Sequence, residues 1–247
     1  ATVFLGGGTP SVLGVAGLGQ ILAAIRSHAD LTADAEVTVE ANPGTLAPAE
    51  LAALRELGVT RLSVGVQSLH DADLRLLGRV HDARTATAFV AAAAAAGFAE
   101  LGVDLIYGLP RRSRAHWEAV LRAAADLPIT HLSCYALTLS PATRLGQAWL
   151  PPSPRARRLP GERAQRDLFL ATGAVLAARG FGRYEISNFS RGLGHESRHN
   201  LRYWRRQPVL AVGPAAHGHD GPRRTWNVAD LDRYLALLAA GHLPTAG

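Results

Sequence analysis

The chain has 247 residues, 48% of them hydrophobic, enough for one large domain or for one domain and part of another. Its single cysteine excludes an internal disulfide, and the absence of lysine excludes Schiff-base chemistry and a phosphate-loop lysine. The net charge of +6 fits either a polyanion-binding protein or a solvated, arginine-rich surface.

Nothing in the sequence predicts export or membrane insertion. The apolar runs, such as residues 91–96, are too short to span a bilayer, and no signal-peptide pattern opens the chain. We therefore expect a cytoplasmic protein. Because the sequence has no methionine and opens inside a strand-like run, we also expect it to be a piece of a longer protein.

Short apolar runs alternate with helical patterns through the first 140 residues. Pro48 suits the first turn of one helix, and Ser113 is placed to cap another. Regular alternation predicts a parallel sheet with right-handed crossovers, and strands read as hydrophobic throughout predict a sheet covered on both faces. The predicted strands are 2–6, 36–43, 61–68, 100–110 and 131–139, and the predicted helices are 14–28, 48–57, 71–78, 83–96 and 114–126.

The composition changes after residue 150. A Pro/Arg-rich connection is followed by a predicted helix at 161–179, loop-rich sequence, a predicted strand at 208–218 and a final helix at 228–240. We expect two domains, 1–150 and 151–247. Arginine clusters occur here and earlier, and those in loop-like sequence favour a solvated surface: Arg111, Arg112 and Arg114, then Arg155, Arg157 and Arg158.

Polar groups follow four consecutive predicted strands. "GGGTPS" follows the first, and Glu40, Gln67 and Asp104 lie on the next three. Because the carboxyl ends of parallel strands form the ligand crevice, these groups predict one ligand site. Taken singly, each has another interpretation: a tight turn for the glycines, a helix cap or ion pair for the carboxylates, and a bond to the backbone for the glutamine.

Seven motifs in order carry a resemblance that runs from residue 2 to about residue 240. The chain resembles the radical S-adenosylmethionine proteins of the oxygen-independent coproporphyrinogen III oxidase group, most of all the HemW branch, described as haem chaperones. The motifs are "VFLGGGTPS", "VEANPGTL", "RLSVGVQS…LGRVHDA", "DLIYGLP", "HLSCYALTLSPATRL", "RYEISNFS" and "HNLRYW".

The resemblance implies a partial (β/α)6 radical SAM barrel that lacks its first strand, followed by the start of a smaller C-terminal domain. It also implies S-adenosylmethionine as a cofactor. Its methionine end would lie on Gly7, Gly8 and Thr9, and Arg79 would pair with its carboxylate through a fork that lysine cannot reproduce. Glu40, Gln67 and Asp104 match positions that line the same ligand.

Family members also hold a [4Fe–4S] cluster through a C-x3-C-x2-C loop, which would lie upstream of Ala1. Cys134 lies in a strand-like run, where a buried hydrophobe is the favoured interpretation. We therefore assign no metal ligand and no catalytic residue within this chain.

The "HNLRYW" motif belongs by resemblance to the HemW branch, where it is associated with haem. Imidazole ligates haem iron and aromatic faces pack on a porphyrin, although a packing motif is an equal alternative. The tentative haem residues are His199, Asn200, Tyr203 and Trp204; further ligand candidates are His195, His217 and His219; and arginines for the propionates are Arg202, Arg205 and Arg206.

The resulting hypothesis is a HemW-like protein that binds S-adenosylmethionine and haem and delivers haem to acceptor proteins. The alternative is an oxidase that decarboxylates coproporphyrinogen III propionates by radical chemistry. A third hypothesis, an RNA-binding protein, requires stacking aromatics among the arginines, and only Tyr203 and Trp204 fit it, so no nucleic-acid partner is expected. The sequence does not set the oligomeric state.

Overall fold

The computed structural model describes residues 1–155 and 159–247, so the expectations for Arg157 and Arg158 lie outside the described residues. The strands are β1 (Thr2–Leu5), β2 (Glu36–Ala41), β3 (Arg61–Gln67), β4 (Glu100–Tyr107), β5 (His131–Ala136), β6 (Gly182–Arg183), β7 (Asn188–Ser190), β8 (His217–His219) and β9 (Arg224–Trp226). The α-helices are α1 (Gly14–His28), α2 (Pro48–Glu56), α3 (Asp71–Leu76), α4 (Ala83–Ala95), α5 (Arg114–Ala125), α6 (Arg144–Trp149), α7 (Glu162–Ala177), α8 (Arg198–Trp204) and α9 (Leu231–Ala239).

The main sheet has the strand order β1-β2-β3-β4-β5-β7-β6. Strands β1 to β5 are parallel in chain order, which confirms the predicted α/β barrel-type fold. The short strand β7 pairs antiparallel with β5, and β6 pairs antiparallel with β7. These two strands come from sequence that was expected to be loop, because runs of two and three residues are too short to show a strand period.

The strands are not hydrophobic throughout, so that expectation is wrong. Residues of one parity are apolar and form the core beneath the helices: Val37, Val39, Leu62, Val64, Leu101, Val103 and Leu132. Residues of the other parity are mostly polar and face one another across the strands: Glu36, Thr38, Glu40, Arg61, Ser63, Gln67, Glu100, Asp104, His131 and Ser133. The second face of the sheet is thus a polar interior.

Local capping follows the sequence. Pro48 occupies the first turn of α2, and the Ser113 Oγ accepts a hydrogen bond from the His116 N–H at the start of α5. The stretch Pro10–His28 is long and apolar enough to cross a membrane by length and composition alone, which differs from the expectation. Leu18 and Leu22 of this stretch are fully buried in the core, although most of the stretch is not buried.

The described residues divide into two compact units, Ala1–Glu196 and Ser197–Gly247. The domain boundary after residue 150 stays a prediction. Within the second unit the strand predicted at 208–218 is wrong for most of its length: only His217–His219 is a strand, and Val209 adds one isolated bridge to His219. Gly213 and Pro214 interrupt the extended run, and Ala215 has a positive φ of 58°.

Candidate functional site

The "GGGTPS" loop leaves β1 and is held against the end of β2. The Gly7 N–H donates to Glu40 Oε2 over 3.1 Å, and Asn42 Nδ2 donates to Thr9 Oγ1 over 3.0 Å. The Thr9 hydroxyl donates in turn to the Gly8 carbonyl over 2.7 Å. These bonds fix the loop backbone at the carboxyl ends of the first two strands.

Gly7 and Gly8 border open space. A Cβ built on either glycine meets no atom within 4 Å in the part of the chain that the structure describes, and both residues are exposed. Gly7 also has a φ of +116°, which residues with a side chain rarely adopt. A ligand can therefore approach the backbone of this loop closely, because no side chain at Gly7 or Gly8 blocks it.

Asp104 lies on the polar face of β4, opposite Ser133 of β5. The Ser63 hydroxyl donates to Asp104 Oδ1 over 3.2 Å. Burial raises the pKa of Asp104 to about 6, although hydrogen bonds from Ser133 and Ser63 and the charge of Arg79 act in the opposite direction. The carboxyl group thus titrates well above the ordinary range of an aspartate.

Glu40 and Arg79 share the electrostatic field of Asp104. Burial and the charge of Asp104 raise the pKa of Glu40, while the bond from Gly7 lowers it. Burial lowers the pKa of Arg79, against the attraction of Asp104. Within residues 1–155 and 159–247 the half-buried Arg79 guanidinium makes no hydrogen bond or ion pair. Two carboxylates and an available guanidinium suit a ligand that carries both charges.

Gln67 completes the set at the end of β3. It is 8% exposed and has a positive φ of 68°, an uncommon backbone conformation for a residue with a side chain. A Cβ on Gly65 would lie 2.5 Å from Asn42 Oδ1 and 2.9 Å from Gln67 Nε2, so these two amides close around the bare glycine.

Four neighbours of these residues belong to the same site but were not predicted from the sequence: Asn42, Ser63, Gly65 and Ser133. The signal was present, because Asn42 stands two residues after Glu40, and Ser63 and Gly65 precede Gln67 by four and two. Alternate residues of a strand share a face.

The tentative haem residues lie in the second unit, on α8. Ser197 caps this helix by accepting the Asn200 N–H, and the His199 and Tyr203 rings meet edge to face with centroids 5.2 Å apart. Tyr203 is 52% exposed and Trp204 is 53% exposed. The packing alternative requires both rings to lie in the core of the unit, and neither ring does.

Two of the other histidine candidates have structural partners. His195 lies in the first unit, where its Nδ1 bonds Glu100 Oε1 over 2.8 Å. His217 stacks on Trp226 within the second unit, with ring centroids 6.2 Å apart, and His219 lies on the same strand as His217. These contacts give His195 and His217 a role in packing.

Cys134 lies on the apolar face of β5 and is 3% exposed, as predicted for a buried hydrophobe. Burial raises the pKa of its thiol well above the usual range, so it stays protonated. It is the single cysteine of the sequence. The residues present therefore fit S-adenosylmethionine but not a [4Fe–4S] cluster, and we assign no step to a cluster here.

The sheet formed by β1 to β5 is parallel and of α/β barrel type. It has a glycine loop after its first strand and polar groups at the ends of the following strands, an arrangement suited to binding a small cofactor at the strand ends. Residues 1–124 match the radical SAM superfamily, and the chain belongs to this superfamily. Membership implies S-adenosylmethionine and a [4Fe–4S] cluster as cofactors.

Several similar proteins belong to the HemW branch. The chain is 40% identical over 252 residues to "Heme chaperone HemW" of Mycobacterium tuberculosis, covering 100% of this chain and 62% of that protein. It is 38% identical over 217 residues to HemW of Escherichia coli, covering 88% and 55%. These similarities confirm the resemblance to the HemW branch.

Among solved structures, the coproporphyrinogen III oxidase HemN of Escherichia coli shares the fold, with a TM-score of 0.84 and 24% identity over 99% of this chain and 58% of that one. The chain thus spans less than two thirds of the length of these relatives.

Proposed function

We propose that the chain is the barrel and following region of a HemW-like radical SAM protein that binds S-adenosylmethionine and haem and acts as a haem chaperone. The identity of 40% to a HemW protein along the whole chain carries this proposal. The 24% identity to HemN supports a shared fold only.

S-adenosylmethionine would bind at the carboxyl ends of the strands. Arg79 would pair with the ligand carboxylate in a bidentate fork, and the Gly7 and Gly8 backbone would border the methionine end. Glu40 and Asp104 would accept from the ammonium or the ribose hydroxyls, with Gln67 beside them. When bound to a cluster, this cofactor supplies an adenosyl radical in the superfamily.

Haem would bind to the second unit. His199 would offer an imidazole to the iron, and the half-exposed rings of Tyr203 and Trp204 would pack on the macrocycle. Arg205 and Arg206 follow Trp204 directly in the sequence and are exposed, so they would pair with the haem propionates. We further propose a cytoplasmic protein that passes haem to an acceptor protein.

The alternative function is oxidation of coproporphyrinogen III, the activity named for HemN, with which the chain shares its fold. An oxidase would convert this substrate anaerobically, given S-adenosylmethionine and a reductant, with methionine and 5′-deoxyadenosine as by-products. Both functions would use the same barrel residues to bind S-adenosylmethionine. An experiment on the residues of the second unit therefore has to distinguish the two functions.

The deciding experiment is a haem titration of the full-length protein. We expect an absorption spectrum with axial imidazole character, which His199→Ala weakens or changes while S-adenosylmethionine binding persists. His242→Ala, which removes an exposed histidine of the same unit, is the matched control and should leave the spectrum unchanged. Turnover of coproporphyrinogen III, together with a spectrum that His199→Ala does not change, would favour the oxidase instead.

A further inference from the structure

Two histidines and an aspartate converge outside the candidate cofactor site, at the junction of α3 and α5. Asp73 lies in α3, His70 immediately precedes that helix, and His116 lies in the first turn of α5. Their ligand atoms all lie within 4.8 Å of one another. His116 Nε2 is 2.7 Å from Asp73 Oδ2, and His70 Nδ1 is 4.0 Å from Asp73 Oδ1.

The carboxylate of this group is buried and held in one orientation. The Asp73 side chain is 2% exposed, and the Ser68 hydroxyl donates to its Oδ2 over 2.9 Å. The two imidazole rings meet edge to face with centroids 4.8 Å apart. In metal sites, a hydrogen bond from a residue that does not touch the metal commonly orients a ligand. The Ser68 hydroxyl orients the Asp73 carboxylate in this way, and two imidazoles lie beside it.

We propose that His70, Asp73 and His116 bind a divalent transition-metal ion of the Zn²⁺ type, with one coordination position left for water. Two imidazole nitrogens and one carboxylate oxygen form a ligand set that Zn²⁺ uses in open, four-coordinate sites. Metal–ligand bonds of about 2.0–2.2 Å place tetrahedral ligand atoms roughly 3.3 Å apart. The separations of 2.7 Å and 4.0 Å run to the two different oxygens of the Asp73 carboxylate. Taken as one ligand atom per residue, the three atoms lie within 4.8 Å of one another, so the side chains have to close in by roughly 1–1.5 Å to reach tetrahedral spacing.

The exposed ring of His70 can supply most of this adjustment, since its side chain is 52% exposed. The open position would face a cleft that Asp73 and His116 line together with Arg112 and apolar side chains. The apolar and aromatic members of this lining are Ile106, Tyr107, Leu109, Trp117 and Leu168.

Arg112 is the group that the metal has to displace. Its Nε donates a short hydrogen bond to Asp73 Oδ1, so the guanidinium neutralises the carboxylate in the metal-free protein. The Arg112 side chain is 27% exposed and long enough to turn toward solvent. Because a cation next to the metal opposes binding, Arg112→Ala should tighten the site.

The ion would join the segment before α3 to the start of α5. The first of these helices, α3, has only six residues. A ligand that binds the folded state alone stabilises it by mass action, so Zn²⁺ should raise the melting temperature of the parent protein.

The test titrates ZnCl2 into the chelator-treated full chain by calorimetry. We expect His70→Ala to lose one equivalent of Zn²⁺ or to bind it more than roughly tenfold more weakly, since even outer partners of metal ligands cost that much. His116→Ala should behave alike. The control, His28→Ala, removes another exposed histidine on α1 and should bind as the parent does. Arg112→Ala should bind more tightly than the parent.

Zn²⁺ bound elsewhere in the chain does not obscure the result, because the readout is the difference between parent and variant. If His116→Ala fails to fold, His70→Ala decides, since it changes a side chain that is half exposed. Unchanged stoichiometry and affinity in His70→Ala would overturn the proposal and leave Asp73 as the centre of a structural ion-pair group. So would an Arg112→Ala variant that binds no more tightly than the parent.

Discussion

Ser63 donates a hydrogen bond to Asp104 across neighbouring parallel strands, with 3.2 Å between the Ser63 Oγ and Asp104 Oδ1. The bond lies on the polar face of the sheet and stabilises the ionised carboxylate, yet burial outweighs it and raises the pKa of Asp104 to about 6. This carboxyl group therefore carries a stability cost when it ionises in the folded protein.

Asp104→Asn should remove that cost. The folded-state pKa of about 6 exceeds the ordinary value of 3.8, so the folded protein binds the proton more tightly than the unfolded chain. The contribution of Asp104 to stability is thus present below pH 3.8 and is lost as the pH rises through about 6. Between pH 4 and pH 7 the parent should lose about 2–3 kcal/mol relative to the variant.

Urea unfolding of parent and variant at both pH values measures this difference, and titrations common to both proteins cancel. Ser63→Ala should raise the pKa further and widen the pH window, because it removes a bond to the ionised form. A parent-minus-variant difference that does not change with pH would contradict the burial of this carboxyl group.

The order of the elements was predictable because each strand and helix has a local signature. The strands before residue 140 and the helices around them follow from apolar runs, Pro48 and the Ser113 cap. The alternation within the strands was missed because glycine, serine and threonine interrupt it with small side chains. In "RLSVGVQ" the residues of one parity are Arg61, Ser63, Gly65 and Gln67, and all four lie on the polar interior face.

The contacts between distant segments were not predictable from local pattern. Arg112 looked like part of a solvated arginine cluster, but it pairs with Asp73, a residue 39 positions away. His195 looked like a candidate haem ligand, but it pairs with Glu100. Partners of this kind depend on where the sheet places each strand end, and no short stretch of sequence contains that information.

The glycine loop can be tested at Gly8 more cleanly than at Gly7. Gly7→Val should obstruct the ligand, but the φ of +116° at Gly7 strains any side chain there. Gly8 has no such φ and equally open space, so Gly8→Val should fold normally and weaken S-adenosylmethionine binding more than roughly tenfold, or about 1.4 kcal/mol. Calorimetry on the cluster-loaded full-length protein measures it.

Gly161→Val is the matched control, since a Cβ there also meets no atom within 4 Å and the residue lies at the start of α7. It should bind S-adenosylmethionine as the parent does. Equal affinities for Gly8→Val and parent would remove the loop from the cofactor site.

Arg79→Lys should weaken S-adenosylmethionine binding by about 1–3 kcal/mol, the range for hydrogen bonds to charged groups. Lysine keeps the charge but loses the planar fork. Within the described residues the Arg79 guanidinium makes no ion pair, so no such structural role accounts for an arginine at this position. Calorimetry gives the affinity, and thermal unfolding gives the stability. A lower melting temperature with unchanged affinity would show that Arg79 acts in the fold rather than in ligand binding.

Arg61 joins three parts of the first unit. Its Nε bonds Glu36 Oε2 over 3.1 Å and its Nη2 bonds Glu100 Oε2 over 3.0 Å. The same Nη2 donates to the carbonyls of His195 and Glu196 over 3.2 and 3.0 Å. The Arg61 and Glu36 side chains are only 5% and 6% exposed, so this is a buried ion pair.

Arg61→Met keeps an unbranched side chain as long as the arginine stem up to Nε and removes the guanidinium, which leaves the buried Glu36 carboxylate without its arginine. Loss of one partner of a buried pair costs about 3–5 kcal/mol, and chemical unfolding should show a decrease of that size. Replacing both charges restores much of the loss, so Arg61→Met with Glu36→Gln should be more stable than Arg61→Met alone.

Arg114→Met is the exposed counterpart, because Arg114 pairs with Glu118 but is 62% exposed, and it should cost less than about 1 kcal/mol. If Arg61→Met and Arg114→Met destabilise the protein equally, the Arg61 pair contributes no more than a surface pair, and the segment at residues 195–196 is held by other contacts.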